Sequence, residues 1–187
     1  MRRIRWEISP VALVLFALAY FFDASGIVSA VIPAVAAHEL GHLLALRLCR
    51  RHVSRVRLDL RGAELDYTPR LEGAQAFLCL AAGPLAGGLY ALAACSAGGA
   101  FWPVSGAASF VLTVFNLLPV LPLDGGRMLA AAVPQRAVRI LSLMLAAALL
   151  TAGGWLALSQ RAFAPLLPGL WLTLCNATCF FRSSGLE

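Results

Sequence analysis

Residues 34–46 read AVAAHELGHLLAL, and the reading of this stretch decides the fold. His38, Glu39 and His42 interrupt a run of alanine, leucine and valine that looks like the middle of a membrane helix. Ionisable groups at such depth cost several kcal/mol unless paired or ligated, so they are functional candidates by default. Working outward, the second apolar segment runs over 27–48 and carries all three. Apolar segments also cover 8–22, 72–95 (interrupted at Gly83-Pro84), 101–133 (broken at Pro119 and Pro122), 136–158 and 162–181.

The composition agrees with a membrane class. Of 187 residues 60% are hydrophobic and only 13% charged, against about 45–50% apolar in soluble domains. Six spans of about 20 residues would use roughly 120, leaving short loops and no sizeable soluble domain. The expected fold is an all-α polytopic membrane protein, a single domain over 1–187, with about six transmembrane helices and a small membrane-surface β-hairpin between the second and third. The basic N-terminus and first apolar run resemble a signal peptide, but no convincing cleavage site follows, so a retained first helix is expected.

The hairpin is read from RRHVSRVRLDLRGAELDYTPR, residues 50–70. Val56, Leu58 and Leu60 alternate with Arg55, Arg57, Asp59 and Arg61, the period of a half-buried strand. Gly62 turns the chain into a second strand, Ala63 to Tyr67. A plain basic loop at the headgroups is the alternative.

The net charge of +6 comes from 15 arginines without a lysine. With the N-terminus, hairpin and C-terminus in the cytoplasm, fourteen lie inside and only Arg161 outside. This is the positive-inside pattern, and it removes any need for a nucleic-acid partner. Cys49, Cys79, Cys95, Cys175 and Cys179 lie in or beside apolar runs without a paired loop framework, so disulfides are not expected. Cys175 and Cys179, spaced i, i+4, are read as small packing residues rather than metal ligands.

His38 and His42 are four apart, on one face of a helix, so both imidazoles can reach one metal ion. Glu39 lies beside them, where an HExxH glutamate serves as general base. Catalytic zinc takes three protein ligands and keeps an open position. His52 falls among surface arginines and is read as a headgroup histidine. Asp124 is the better third candidate, in NLLPVLPLDGGR (116–127), where prolines break the helix and glycines allow close backbone approach. Simple capping of a helix starting at Gly125 is its structural alternative.

HELGH on the second apolar segment, with NLLPVLPLDGG far downstream, resembles the site-2 protease family of intramembrane metalloproteases. The resemblance extends over most of the chain. It implies that His38, His42 and Asp124 bind one zinc ion per chain and that Glu39 is the catalytic base. It implies also that Asn116 lies by the site and contacts the scissile carbonyl, with an interhelical hydrogen bond as its plainer role. AAGPLAG, residues 81–87, resembles a Gly-Pro segment of relatives. No PDZ insertion and no C-terminal CBS domain is read here, so the layout looks like that of the small bacterial and archaeal members, and a prokaryotic cell membrane is expected.

The expected activity is therefore zinc-dependent hydrolysis of a peptide bond within or next to a substrate transmembrane segment, as in regulated intramembrane proteolysis. His38 precedes Arg47 by nine residues, about 13 Å of helix at 1.5 Å each, which places the metal inside the bilayer toward the cytoplasmic face. The substrate must unwind, and the strand near Val53–Leu60, with Val56 and Leu58, is expected to offer it an edge for strand addition. Partners are then a membrane protein substrate, the lipid bilayer and a regulatory membrane protein. Two rivals remain: a metal-ion transporter, which needs no general base, and an inactive scaffold that binds membrane helices.

Overall fold

A computed structural model of the chain describes residues 5–59, 62–69 and 71–184. The elements in chain order are β1 (Arg5–Ile8), α1 (Pro10–Phe21), α2 (Ile27–Leu48), β2 (His52–Asp59), β3 (Gly62–Thr68), α3 (Gly73–Cys95), α4 (Phe101–Asn116), α5 (Asp124–Ala130), α6 (Gln135–Gln160) and α7 (Leu166–Ser184). They group into two compact units, Met1–Asn116 and Leu117–Glu187.

In the first unit α2 packs on α3 and α4, and α3 packs on α4. The packing is inside out relative to a water-soluble bundle. Buried positions are small: Ala30, Ala34 and Gly41 on α2, Gly83, Gly87 and Ala91 on α3, Ser105, Gly106 and Ser109 on α4. Large apolar side chains such as Leu44, Leu89 and Val111 point outward. Small faces let helix backbones approach closely where lipid, not water, covers the other side. Hydroxyls tie the interfaces: Ser105 Oγ donates to the Ala30 carbonyl at 2.6 Å, and Ser109 Oγ to that of Gly87 at 2.8 Å.

Three helices among the described residues, α2, α3 and α6, are long and apolar enough to cross a membrane. Apolar helices of 10–17 residues add Pro10–Phe21, Phe101–Asn116 and Leu166–Ala177. The architecture is thus a mostly helical integral membrane protein. The expected count of six full spans is not confirmed among the described residues, and two of the apolar runs are partly spent on other structure. Residues 8–22 begin with the end of β1, and 101–133 divide into α4, an irregular segment and the short α5.

The expected hairpin exists and gains a strand. β2 and β3 pair antiparallel from His52↔Thr68 to Asp59↔Gly62, with an irregularity between Val53 and Arg55. β1 adds parallel to β2, from Arg5↔Arg55 to Ile8↔Leu58, giving the order β1-β2-β3. Glu7 cements this pairing: its carboxylate reaches Arg55 at 3.3 Å and Arg57 at 3.2 Å. β2 is therefore the central strand, and the edge expected of Val53–Leu60 belongs to β1 and β3 instead. Leu60, Arg61 and Arg70 lie outside the described residues.

Helix α2 ends in a tight C-terminal cap. The Arg51 N–H reaches the Leu46 carbonyl and the Arg50 N–H that of Arg47, each at 2.9 Å. Arg50 takes the left-handed conformation, φ 54°, usually given to glycine. The chain thereby reverses directly into β2. Leu46, Leu71 and Cys79 form a buried apolar cluster there, with Cys49, Val53 and Tyr67 packed against it, so the sheet is fastened to the ends of α2 and α3.

In the second unit α6 packs on α7 and α5 on α6. The segment before α5 is irregular, with a cis Leu121–Pro122 bond. Its backbone is held by helix side chains, as described next.

Candidate metal centre

The four-residue spacing on α2 does what helical geometry predicts. His38 and His42 stack edge to face with ring centroids 4.9 Å apart, and their Nε2 atoms are 3.2 Å from each other. His42 Nδ1 lies 2.8 Å from the Cys79 carbonyl of α3. A carbonyl only accepts, so Nδ1 carries the proton and Nε2 keeps its lone pair. Two nitrogens at about 2.05 Å on one tetrahedral ion would be about 3.3 Å apart. The observed spacing suits a shared cation, with the Cys79 carbonyl as the outer partner that orients the ring.

The opposing helix is shaped to the histidines. A Cβ on Gly83 would run into the His42 imidazole, and one on Gly41 into the Ala82 backbone. A Cβ on Gly87 would lie 2.6 Å from Thr113 Oγ1 and 3.7 Å from His38 Nδ1. Glycines 83 and 87 on α3 thus face histidines 42 and 38 on α2, both pairs in the i, i+4 register of a helix face. AAGPLAG is the complement of HELGH, a role that reading each motif alone did not reveal. The signal that could have found it was the equal spacing of the two pairs.

Asp124 belongs to the second unit. It is buried as the first residue of α5, whose N-cap is Leu123, so it does not occupy the capping position that was its alternative role. The segment leading to it is pinned at Leu121 from two helices. The Leu121 N–H donates to Ser142 Oγ of α6 at 2.9 Å, and Asn176 Nδ2 of α7 donates to the Leu121 carbonyl at 2.7 Å. Gly125 and Gly126 let α5 lie against this segment, since a Cβ on either would strike the backbone of Leu117 or Val120. Ser142 and Asn176, both buried, escaped sequence reading because each is one polar residue inside a long apolar run. That isolation was itself the available signal.

His38 and His42 of the first unit and Asp124 of the second make up the group of residues of metal-donor type, each offering one ligand atom. His52 is exposed at the start of β2 and is not in the group. Glu39 is half-buried on α2 beside the histidines. Asn116 ends α4 and its amide donates to the Leu112 carbonyl at 3.0 Å, a bond within its own helix. Val56 is buried within the sheet and Leu58 partly exposed on it.

Comparison with known proteins agrees with the resemblance carried by the two motifs. The model of peptidase family M50 matches residues 94–159, which include NLLPVLPLDGG but not HELGH. The fold is similar to that of a site-2 protease from Methanocaldococcus jannaschii, with a TM-score of 0.67 and 17% identity over 95% of this chain and 91% of that one. No curated protein sequence gives a match.

Proposed function

We propose that this chain, similar in sequence to peptidase family M50 and in fold to a site-2 protease, is an intramembrane zinc endopeptidase that cleaves within or next to a substrate transmembrane segment. The observation that carries the proposal is the histidine pair, two Nε2 atoms 3.2 Å apart with one ring committed through Nδ1 to a carbonyl. His38, His42 and Asp124 would hold the metal, and the set of two imidazoles and one carboxylate is a zinc donor set. When bound, zinc supplies Lewis acidity toward water and the peptide carbonyl. Glu39 takes the proton of the attacking water and returns it to the leaving amine. Asn116 contacts the scissile carbonyl.

The substrate reaches the site as an extended segment, because a helix conceals its carbonyls in its own hydrogen bonds. An edge of the sheet receives it by strand addition. Val56 and Leu58 on the central β2 would then support that edge from within. The membrane is that of a prokaryotic cell, with both termini and the sheet cytoplasmic.

The test is zinc content and cleavage of a transmembrane reporter, measured on the purified chain. Wild type should hold about one zinc. Asp124→Ala should lose it while remaining folded. Glu39→Gln should keep zinc and lose about 10²–10⁴ in rate, the usual worth of a general base. Unchanged cleavage in Glu39→Gln would overturn the assignment, and transport without cleavage would favour a metal-ion carrier.

A further inference from the structure

We propose that Cys49 and Cys79 are a reversible disulfide pair through which peroxide loosens the metal centre; the second half of this statement rests on the zinc reading above. Cys49 is the C-terminal cap of α2, and Cys79 lies in the second turn of α3. Their sulfurs are 3.6 Å apart, and both thiols are free. A disulfide of about 2.0 Å requires about 1.6 Å of approach, within reach of small side-chain and backbone adjustment. Cys79 is buried and Cys49 only partly so, which makes Cys49 the thiol a small oxidant meets first.

The chemistry needs one peroxide. The Cys49 thiolate attacks a peroxide oxygen, the O–O bond breaks, and the departing hydroxide leaves as water with a proton, giving a sulfenic acid. The Cys79 sulfur then attacks the Cys49 sulfur, the S–O bond breaks, and the oxygen departs as a second water carrying the Cys79 proton. Two thiols lose two electrons, and one hydrogen peroxide becomes two waters. A cellular dithiol reverses the bond by exchange.

The coupling runs through one residue. The Cys79 carbonyl is the group that orients His42, 2.8 Å from its Nδ1. Drawing Cys79 toward the end of α2 displaces that carbonyl, and loss of such an outer partner typically weakens metal affinity about 10–100-fold.

The experiment uses the full chain in detergent, loaded with zinc and exposed to hydrogen peroxide. Free thiols are alkylated, and the protein is mapped by mass spectrometry. Wild type should lose two alkylatable thiols, yield a Cys49–Cys79 linked peptide and recover both thiols with dithiothreitol. Its zinc affinity, read by chelator competition, should fall at least 10-fold on oxidation. Cys49→Ala should form no linked peptide and keep its zinc affinity in peroxide, with Cys49→Ser as a second variant should alanine unfold the helix end. Wild type that keeps all its thiols, stops at the sulfenic acid or links other cysteines overturns the pair. A linked peptide with unchanged zinc affinity overturns the coupling. A folded chain that binds no zinc even when reduced overturns the metalloprotease reading and the coupling with it, while the linked peptide still decides the disulfide.

Discussion

HELGH and NLLPVLPLDGG hold the residues proposed as metal donors, but each reaches its local geometry by an opposite route. On α2 the backbone is a regular helix, and the spacing of His38 and His42 follows from 3.6 residues per turn. The surroundings then adapt, with Gly83 and Gly87 clearing space on α3. Around Asp124 the backbone is irregular, and nothing in its periodicity sets where the carboxylate goes. There the order comes from outside, from Ser142 and Asn176 holding both polar groups of Leu121. Regular backbone needs a shaped partner; irregular backbone needs anchored peptide groups, since unsatisfied ones are costly in a membrane.

The sharpest way to break this contrast is Gly83→Ala. Its methyl would occupy the place of the His42 ring, so the imidazole must leave or the helices must part. Zinc binding and cleavage should both be lost, a far larger effect than one methyl causes on an open helix face. Gly88→Ala is the control, because a Cβ there meets nothing within 4 Å. It should leave zinc content and activity unchanged. Equal zinc in both variants would mean that α3 does not shape the pair.

Ser142→Ala probes the other route. It leaves the Leu121 N–H without its acceptor, at a cost of about 1–3 kcal/mol if the group stays buried. Thermal stability should fall accordingly, and zinc affinity by about 10-fold, as for outer-shell losses elsewhere. Asn176→Ala should act in the same direction. It also donates to the Leu172 carbonyl of its own helix at 2.9 Å, so the Leu121 bond is one of two that are lost. Full zinc affinity in both variants would show that the segment before Asp124 holds itself.

The contrast also explains what was legible in the sequence. The histidine pair and Glu39 could be read because a helix converts spacing into direction. Asp124 could be read because a lone acid between prolines and glycines has few structural reasons to be in an apolar run. Gly83 and Gly87 could be quoted but not given a role, since a sequence shows the faces of one helix and not which helix it meets. β1 was hidden for a related reason. Four residues, Arg5–Ile8, precede an apolar helix, and their parallel pairing with β2 depends on a partner about fifty positions away. That pairing moved the sheet's free edges away from β2. Two of the apolar runs read as full spans are partly other structure, because hydrophobicity alone does not mark where a strand or a proline-broken segment takes over.

The smallest expected effect concerns the entrance to α2, far from its histidines along the helix. Asp23 stands in the turn before it, accepting from the Ser25 hydroxyl at 2.7 Å and from the N–H groups of Ile27 at 3.1 Å and Val28 at 2.7 Å. The Ser25 hydroxyl, the largest influence, and the backbone N–H groups of Val28 and Ile27 together hold its carboxyl below the usual carboxylate range, against burial, the second-largest influence, which pushes it up. A carboxylate favoured by folding stabilises above its ordinary pKa, and the contribution fades as pH falls through the depressed native value. Wild type should therefore lose a small part of its thermal stability as pH falls through and below the ordinary carboxylate value of about 4. Asp23→Ala should begin slightly less stable at neutral pH, because these helix-entry bonds are gone, and should show a flatter melting profile over the same acid range. A mutant profile as steep as that of wild type would place the acid sensitivity at other carboxylates. The end of α2 would then depend on packing against α3 and α4 rather than on its entry cap.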